Sequence, residues 1–385
     1  MNKVYNTQEE ITSNIASILQ KVDYNIRKTQ LKIIPSIVLG MILSESVVAS
    51  DIAKNLKGEF SLVQHDSVIR RIKRFFRNKL FDPYSFYDKV IKFVISTYKK
   101  KHNDKRVHII FDHMFSHDNY TVFMITMRIG RQGIPLWFRC FKGKDCPDAF
   151  QEELLKDGIS YVSNLFDDDF DLVFLADRWF NSVTLLEHIN SLGHTYSIRF
   201  KGNIKTLIYD KKEGHAIWKT LSDIPAYKYH ASHYVGIPIT DKQYKVNIAI
   251  SQKNGVETPW IIITNGSALR AIKDYGYRFG AIECVFKSQK SNGFYLESTV
   301  KADIKYFESM YAITCFATLF LTILGADYSK NLKCYKDVKI TTHKKIKGIK
   351  KRVMSLFNVG LTLFHLAHNS NRYIRIPFSF ILYDV

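Results

Sequence analysis

Between Val107 and Phe200 the chain carries apolar runs of strand length, separated by turn residues and interrupted by two segments of helical period. No other feature limits the fold as much. Val107 to Phe111, Tyr120 to Ile129 and Ile134 to Phe141 are rich in β-branched and aromatic residues and are joined by Asn, Gly and Pro turns. That pattern predicts three antiparallel strands. A helix is expected over about Pro147 to Asn164, then an acidic turn at Asp167 to Asp169 and a short apolar strand, Leu172 to Ala176. A helix from Ser182 to Leu192 and a strand from Thr195 to Phe200 complete the series. Strands and helices in this order form an α/β fold, a sheet with helices packed on it.

The flanking segments read differently. From Gln8 to Lys101 the apolar residues recur at helical spacing, with one helix expected over Ile34 to Val48 and a short second one, N-capped by Ser50 and Asp51, through Leu56. After Gly58 comes HDSVIRRIKRFFRN, in which Arg70, Arg71, Lys73, Arg74 and Arg77 are interleaved with Ile69, Ile72, Phe75 and Phe76. A helix of this composition can bury one side while its basic side meets phosphates. The arrangement resembles a helix-turn-helix unit with Asp66 to Asn78 as its recognition helix. Residues 1–103 are therefore read as a helical DNA-binding domain, with a boundary at Asp104 to Arg106. Residues 104–200 form the first part of the α/β core, and 201–260, short strands with Gly and Pro turns, read as a β-rich insertion. Residues 261–328 return to the core through a buried strand, Trp260 to Thr264, and an apolar helix, Ile304 to Leu324. The rest, 329–385, reads as a basic tail: Lys330, Lys333, Lys336, Lys339, Lys344, Lys345, Lys347, Lys350, Lys351 and Arg352 are opposed only by Asp337. A solvated polybasic loop and a phosphate contact account for that run equally well.

Lys and Arg number 56 against 36 Asp and Glu, a formal charge of +20. Such an excess repels the compact state unless a polyanion is a usual partner, and nucleic acid is the first candidate. The cysteines, Cys140, Cys146, Cys284, Cys315 and Cys334, form no CxxC pair. Neither a disulfide framework nor a zinc knuckle is indicated, and a reducing cytoplasm fits. The first residues lack an apolar signal region, and Met310 to Ala326, seventeen residues without a charge, are read as a buried core helix rather than a membrane span.

Two carboxylates stand at strand ends: Asp112 after VHIIF and Asp177 after LVFLA. Each could be a turn or helix cap, and Asp118 in SHDNY competes with Asp112. If the strands are neighbours, the two converge. A helix over Phe279 to Gln289 would add Glu283, with Lys287 and Lys290 at i+4 and i+7 on the same face, a spacing an ordinary solvated face also shows. Three carboxylates at one point repel and take up protons. Two hard divalent cations, Mg²⁺ or Mn²⁺, would resolve the conflict and support in-line phosphoryl displacement. A glycosidase pair, Asp177 and Glu283, would leave the charge unexplained.

IIFDHMF, VFLADRWFNS and YGYRFGAIECVFKSQKSNGFYLE resemble the three blocks of bacterial DDE transposases of the insertion-sequence-four family, whose third block is a Tyr, Arg, Glu, Lys signature. Tyr275 to Arg278 and Glu283 to Lys290 keep the family spacing, but four residues rather than three separate Arg278 from Glu283. On a regular helix that turns Arg278 off the Glu283 face. A helix that starts only after Arg278, or a bulge near Gly280, would restore it. The resemblance spans about Val107 to Leu324. It implies a ribonuclease-H-like mixed sheet with a β-rich insertion, and cleavage and joining of double-stranded DNA by a cytoplasmic, nucleoid-associated homodimer on paired transposon ends. It also implies metal ligands at Asp112, Asp177 and Glu283, with Tyr275, Arg278, Lys287 and Lys290 on phosphates. A nuclease or resolvase on the same fold, or a catalytically silent DNA-binding descendant, fits the same residues.

Overall fold

The computed structural model describes residues 8–23, 25–56, 63–100, 105–116, 120–143, 148–210, 212–228, 230–252, 257–298, 303–335, 338–346, 349–369 and 380–382. Gly58, Asp104, Asp118, Cys146, Lys336, Asp337 and Lys347 lie outside them.

Five helices come first: α1 (Gln8–Val22), α2 (Lys28–Ser44), α3 (Ala49–Lys54), α4 (His65–Phe76) and α5 (Pro83–Lys99). The helix expected over Ile34 to Val48 starts a turn and a half earlier and ends at Glu45, which takes the left-handed conformation at φ 49°. Its successor is capped at Val48 rather than at Ser50 and Asp51. Asp82 caps α5, accepting from the Tyr84 and Ser85 amides, and Pro83 supplies a preset φ at the first helical position.

Then follow β1 (Arg106–Ser116), β2 (Tyr120–Ile129), β3 (Gln132–Lys142), α6 (Asp148–Ser163), β4 (Asp171–Ala176), α7 (Val183–Ser191) and β5 (Thr195–Arg199). Four further strands, β6 (Lys205–Asp210), β7 (His215–Thr220), β8 (Ser232–Ile239) and β9 (Tyr244–Ser251), precede β10 (Trp260–Thr264). The chain ends with α8 (Ala268–Gly276), α9 (Ile282–Lys290), α10 (Ile304–Lys330), β11 (His343–Ile346), β12 (Ile349–Arg352) and α11 (Leu356–Asn369).

Ten strands make one mixed sheet in the order β3-β2-β1-β4-β5-β10-β9-β8-β6-β7. The first three are antiparallel; β1, β4 and β5 are parallel. β10 joins antiparallel to β5, and β9 to β10, so the β-rich stretch prolongs the same sheet. α6 covers one face, its Gly158 lying close to Ile125 and Trp137. On the other, the Tyr87 hydroxyl of α5 donates to the Pro135 carbonyl at 2.8 Å, and Phe138 packs edge-on to Tyr311 of α10.

α10 is long and apolar enough to cross a membrane, yet its apolar stretch is wholly buried in protein. Three threonines in its middle, Thr314, Thr318 and Thr322, return their hydroxyls to the carbonyls four residues back, so none is an unpaired polar group in the core.

The expected basic tail is corrected. Its basic run contributes a two-stranded hairpin, β11 with β12, and is followed by an apolar helix, α11, that buries Leu356, Phe357, Val359, Leu363 and Phe364 against α10.

Candidate active site

β1 sets the site. Its alternation sends Phe111 and His113 to one face, against Phe180, and His108 and Asp112 to the other, where α8 and α9 lie. Asp112 does not end a strand as expected. β1 continues through Ser116 because Met114 to Ser116 still pair with β2, so Asp112 stands mid-strand opposite Met124. Asp177 does stand one residue beyond β4, and the parallel register that matches Ile110 to Leu175 brings it alongside Asp112.

The third carboxylate arrives on α9, which begins at Ile282 and not at Phe279. Gly280, at φ +91°, takes a conformation closed to other side chains at little cost and breaks the chain between α8 and α9. α9 then lies directly on β3, with Ala281 and Val285 over Gly133. Glu283 falls in its first turn, half-exposed, where the helix dipole favours a carboxylate.

This break answers the irregular spacing of the third block, because Arg278 is not part of the Glu283 helix. Its side chain, 8 % exposed, enters among the carboxylates: one nitrogen pairs with Asp112 and lies 4.0 Å from Asp177, and the other donates to Glu283 at 3.2 Å. The remaining guanidinium nitrogen, Nε, is buried without a hydrogen-bond partner. Burial pushes the Asp112 carboxyl up, a shift that Arg278 and the His113 amide oppose and that Asp177 reinforces. Glu283 is also pushed up by burial, with Asp112 and Asp177 adding repulsion that Arg278 offsets in part. Burial acts to lower the Arg278 pKa, but Asp112, Tyr275, Asp177 and Glu283 together hold it above the usual value.

Tyr275 is 1 % exposed, its hydroxyl donating to Asp177 at 3.4 Å, and burial raises its pKa to about 12. It packs edge-on to Trp260, on which Phe279 stacks. Lys287 is exposed on α9, and Lys290 pairs with Glu297 at 3.0 Å. The structure thus gathers Asp112, Asp177, Glu283, Arg278 and Tyr275 in one place and leaves Lys287 and Lys290 outside that contact set.

Sequence reasoning missed Asp274, 4 % exposed, which accepts from Arg106 at 2.9 Å and lies 3.2 Å from His108 Nε2, fastening α8 to β1.

The donors are carboxylate oxygens of three side chains, the hard oxygen type that a divalent cation such as Mg²⁺ or Mn²⁺ takes. Among the described residues, no group of three His, Cys, Asp or Glu is spaced to hold a metal ion. Beside Asp177, a cavity of about 620 Å³ is lined by Trp179, Arg199, Lys201 and the 258–261 segment.

Elsewhere, α4 buries Val68, Ile72, Phe75 and Phe76 and exposes Arg70, Arg71, Lys73 and Arg74. Arg77, exposed at the C-cap of α4, pairs with Asp303 at 2.9 Å, the N-cap of α10.

No protein-family model matches this chain, and no curated protein resembles it in sequence. Among solved structures, it is similar to the cryo-EM structure of a piggyBac transposase synaptic complex with hairpin DNA. The TM-score is 0.43 at 10 % identity, over 94 % of this chain and 78 % of that one.

Proposed function

We propose that the chain is a divalent-cation-dependent DNA transposase with a ribonuclease-H-like core, of the insertion-sequence-four type. The observation that carries this reading is the convergence of Asp112, Asp177 and Glu283 from three separate elements on one partly buried point. The strand order β3-β2-β1-β4-β5, three antiparallel strands followed by two parallel ones, supports the core assignment. The exposed basic face of α4 and the charge of +20 support double-stranded DNA as partner.

In this reading Asp112, Asp177 and Glu283 would hold Mg²⁺ or Mn²⁺, two ions per site. The ions would supply an activated water or 3′-hydroxyl and charge stabilisation at the phosphoryl centre. The protein's own residues prepare that centre. β1 and β4 fix two carboxylates through sheet hydrogen bonds, Tyr275 holds Asp177 in place, and Asp274 fastens α8 to β1. Lys287, exposed on α9, and the α4 face would hold phosphates; residues 1–103 would serve as the DNA-binding domain. Two copies, one on each end, would act in the cytoplasm on the nucleoid.

The test is cleavage and joining of a labelled duplex carrying the sequences that flank the gene, with Mg²⁺ or Mn²⁺, in the native protein, Glu283→Gln and Asp112→Asn. Nicking and joining that need the metal, and that fall by about 10²- to 10³-fold in both variants while DNA binding persists, are expected. Cutting without joining would identify a nuclease or resolvase. Salt-sensitive binding with no cleavage in any of the three would leave a silent DNA-binding protein.

A further inference from the structure

The position that three carboxylates define is already taken by a cation of the chain itself. We infer that Arg278 is a resident counter-cation that holds the acidic cluster closed, and that a divalent ion enters only as this side chain leaves. The inference rests on the reading of the cluster as a cation site, and it goes beyond it by naming what the ion must displace.

The geometry allows one occupant. The Arg278 guanidinium reaches Asp112, Asp177 and Glu283, all within 4.0 Å, and its side chain is only 8 % exposed. A metal ion placed among the same oxygens would meet a like charge at contact distance, so the two exclude each other. Exchange also improves the charge balance, since one positive charge among three negative ones is replaced by two or more.

Departure is feasible because the guanidinium is held by charge more than by complete hydrogen bonding: its Nε is buried and unpartnered. Arg278 lies in the short link between α8 and α9, with Gly280 at φ +91° and Ala281 at φ −112°, ψ −85°. Neighbouring Phe279 is 44 % exposed, so the link borders solvent. A closed majority state lowers the apparent affinity for an ion by the fraction of molecules that are open.

The experiment is Mn²⁺ alone titrated calorimetrically into the full chain without DNA, for the native protein, Arg278→Ala, Arg278→Gln, Asp112→Asn and the Arg278→Ala/Asp112→Asn double variant. Arg278→Ala should bind Mn²⁺ about tenfold or more tighter than the native protein, and the double variant should lose that binding. Arg278→Gln, which keeps donors for the carboxylates without the charge, carries the same expectation where Arg278→Ala does not fold. Equal or weaker binding in both Arg278 variants, with binding still lost in Asp112→Asn, would overturn the counter-cation role and leave the metal site standing. Absence of Mn²⁺ binding in every folded variant would overturn the metal reading itself, and this inference with it.

Discussion

Asp274 shows how one buried carboxylate fixes the whole site. Burial acts to raise its pKa, but hydrogen bonds from His108 and Arg106 outweigh this and hold it below its ordinary value of 3.8. A group depressed in the folded state stabilises above its unfolded pKa, and that contribution is lost as pH falls through the folded value. Asp274→Asn should therefore cost about 1.5 kcal/mol at neutral pH, because Arg106 loses one of its two carboxylate partners and keeps Asp171. Urea midpoints of the variant and the native protein should differ by a constant amount from pH 7 to pH 5, then converge below 3.8. A gap that stays constant through that acid range would mean that packing, not charge, fastens α8. Asp274 was illegible in the sequence because its partners, Arg106 and His108, lie on a distant strand. Asp177 was legible, since the break in its apolar run is also the end of β4. Asp112 was misread as a strand end, because HMFS does not alternate cleanly and the pairing that prolongs β1 comes from β2. The Arg278 irregularity was visible as a spacing, but its cause, a chain break at Gly280, is a tertiary fact.

At the scale of elements, the α10 and α11 pair makes the strictest demand. Their backbones cross so closely that a Cβ on Gly360 would lie 1.9 Å from the Leu321 carbonyl oxygen, and one on Gly325 would lie 1.9 Å from that of Leu356. Neither contact can be relieved by rotating a side chain, so the helices must part. Gly360→Ala should cost about 3 kcal/mol or more, read as a lowered thermal midpoint. Gly276→Ala, whose Cβ would meet nothing within 4 Å, is the control and should leave the midpoint unchanged or raised. An equal response in the two would refute the crossing. α11 escaped the sequence reading although Leu356, Val359 and Leu363 repeat at helical spacing, because the dense lysines before it set the character of the region. The strands from β1 to β5 and β10 were legible from apolar runs between turn residues, which need no distant partner to be recognised.

Over the whole molecule, the question is whether the net charge acts as a diffuse field or through defined contacts. An excess of 20 positive charges attracts any polyanion, but a field alone gives no fixed number of displaced counterions. Contacts do: log K falls with log salt concentration at about 0.9 per phosphate neutralised on a duplex. α4 offers the test, because Arg70, Lys73 and Arg74 are exposed on one helix whose opposite side is buried, so changing them leaves the core intact. Replacing the three with Gln should change stability by no more than about 0.5 kcal/mol. Binding of a duplex of arbitrary sequence, followed by fluorescence anisotropy across a salt series, should then lose up to about 2.7 from the slope, roughly 0.9 for each contact removed. Arg77→Gln, which breaks the pair with Asp303 instead, should leave the slope unchanged. A triple variant with lower affinity but the native slope would assign the attraction to the field and remove α4 from the DNA interface. A reduced slope would place the helix on the phosphates and make the orientation of DNA on this molecule a property of α4.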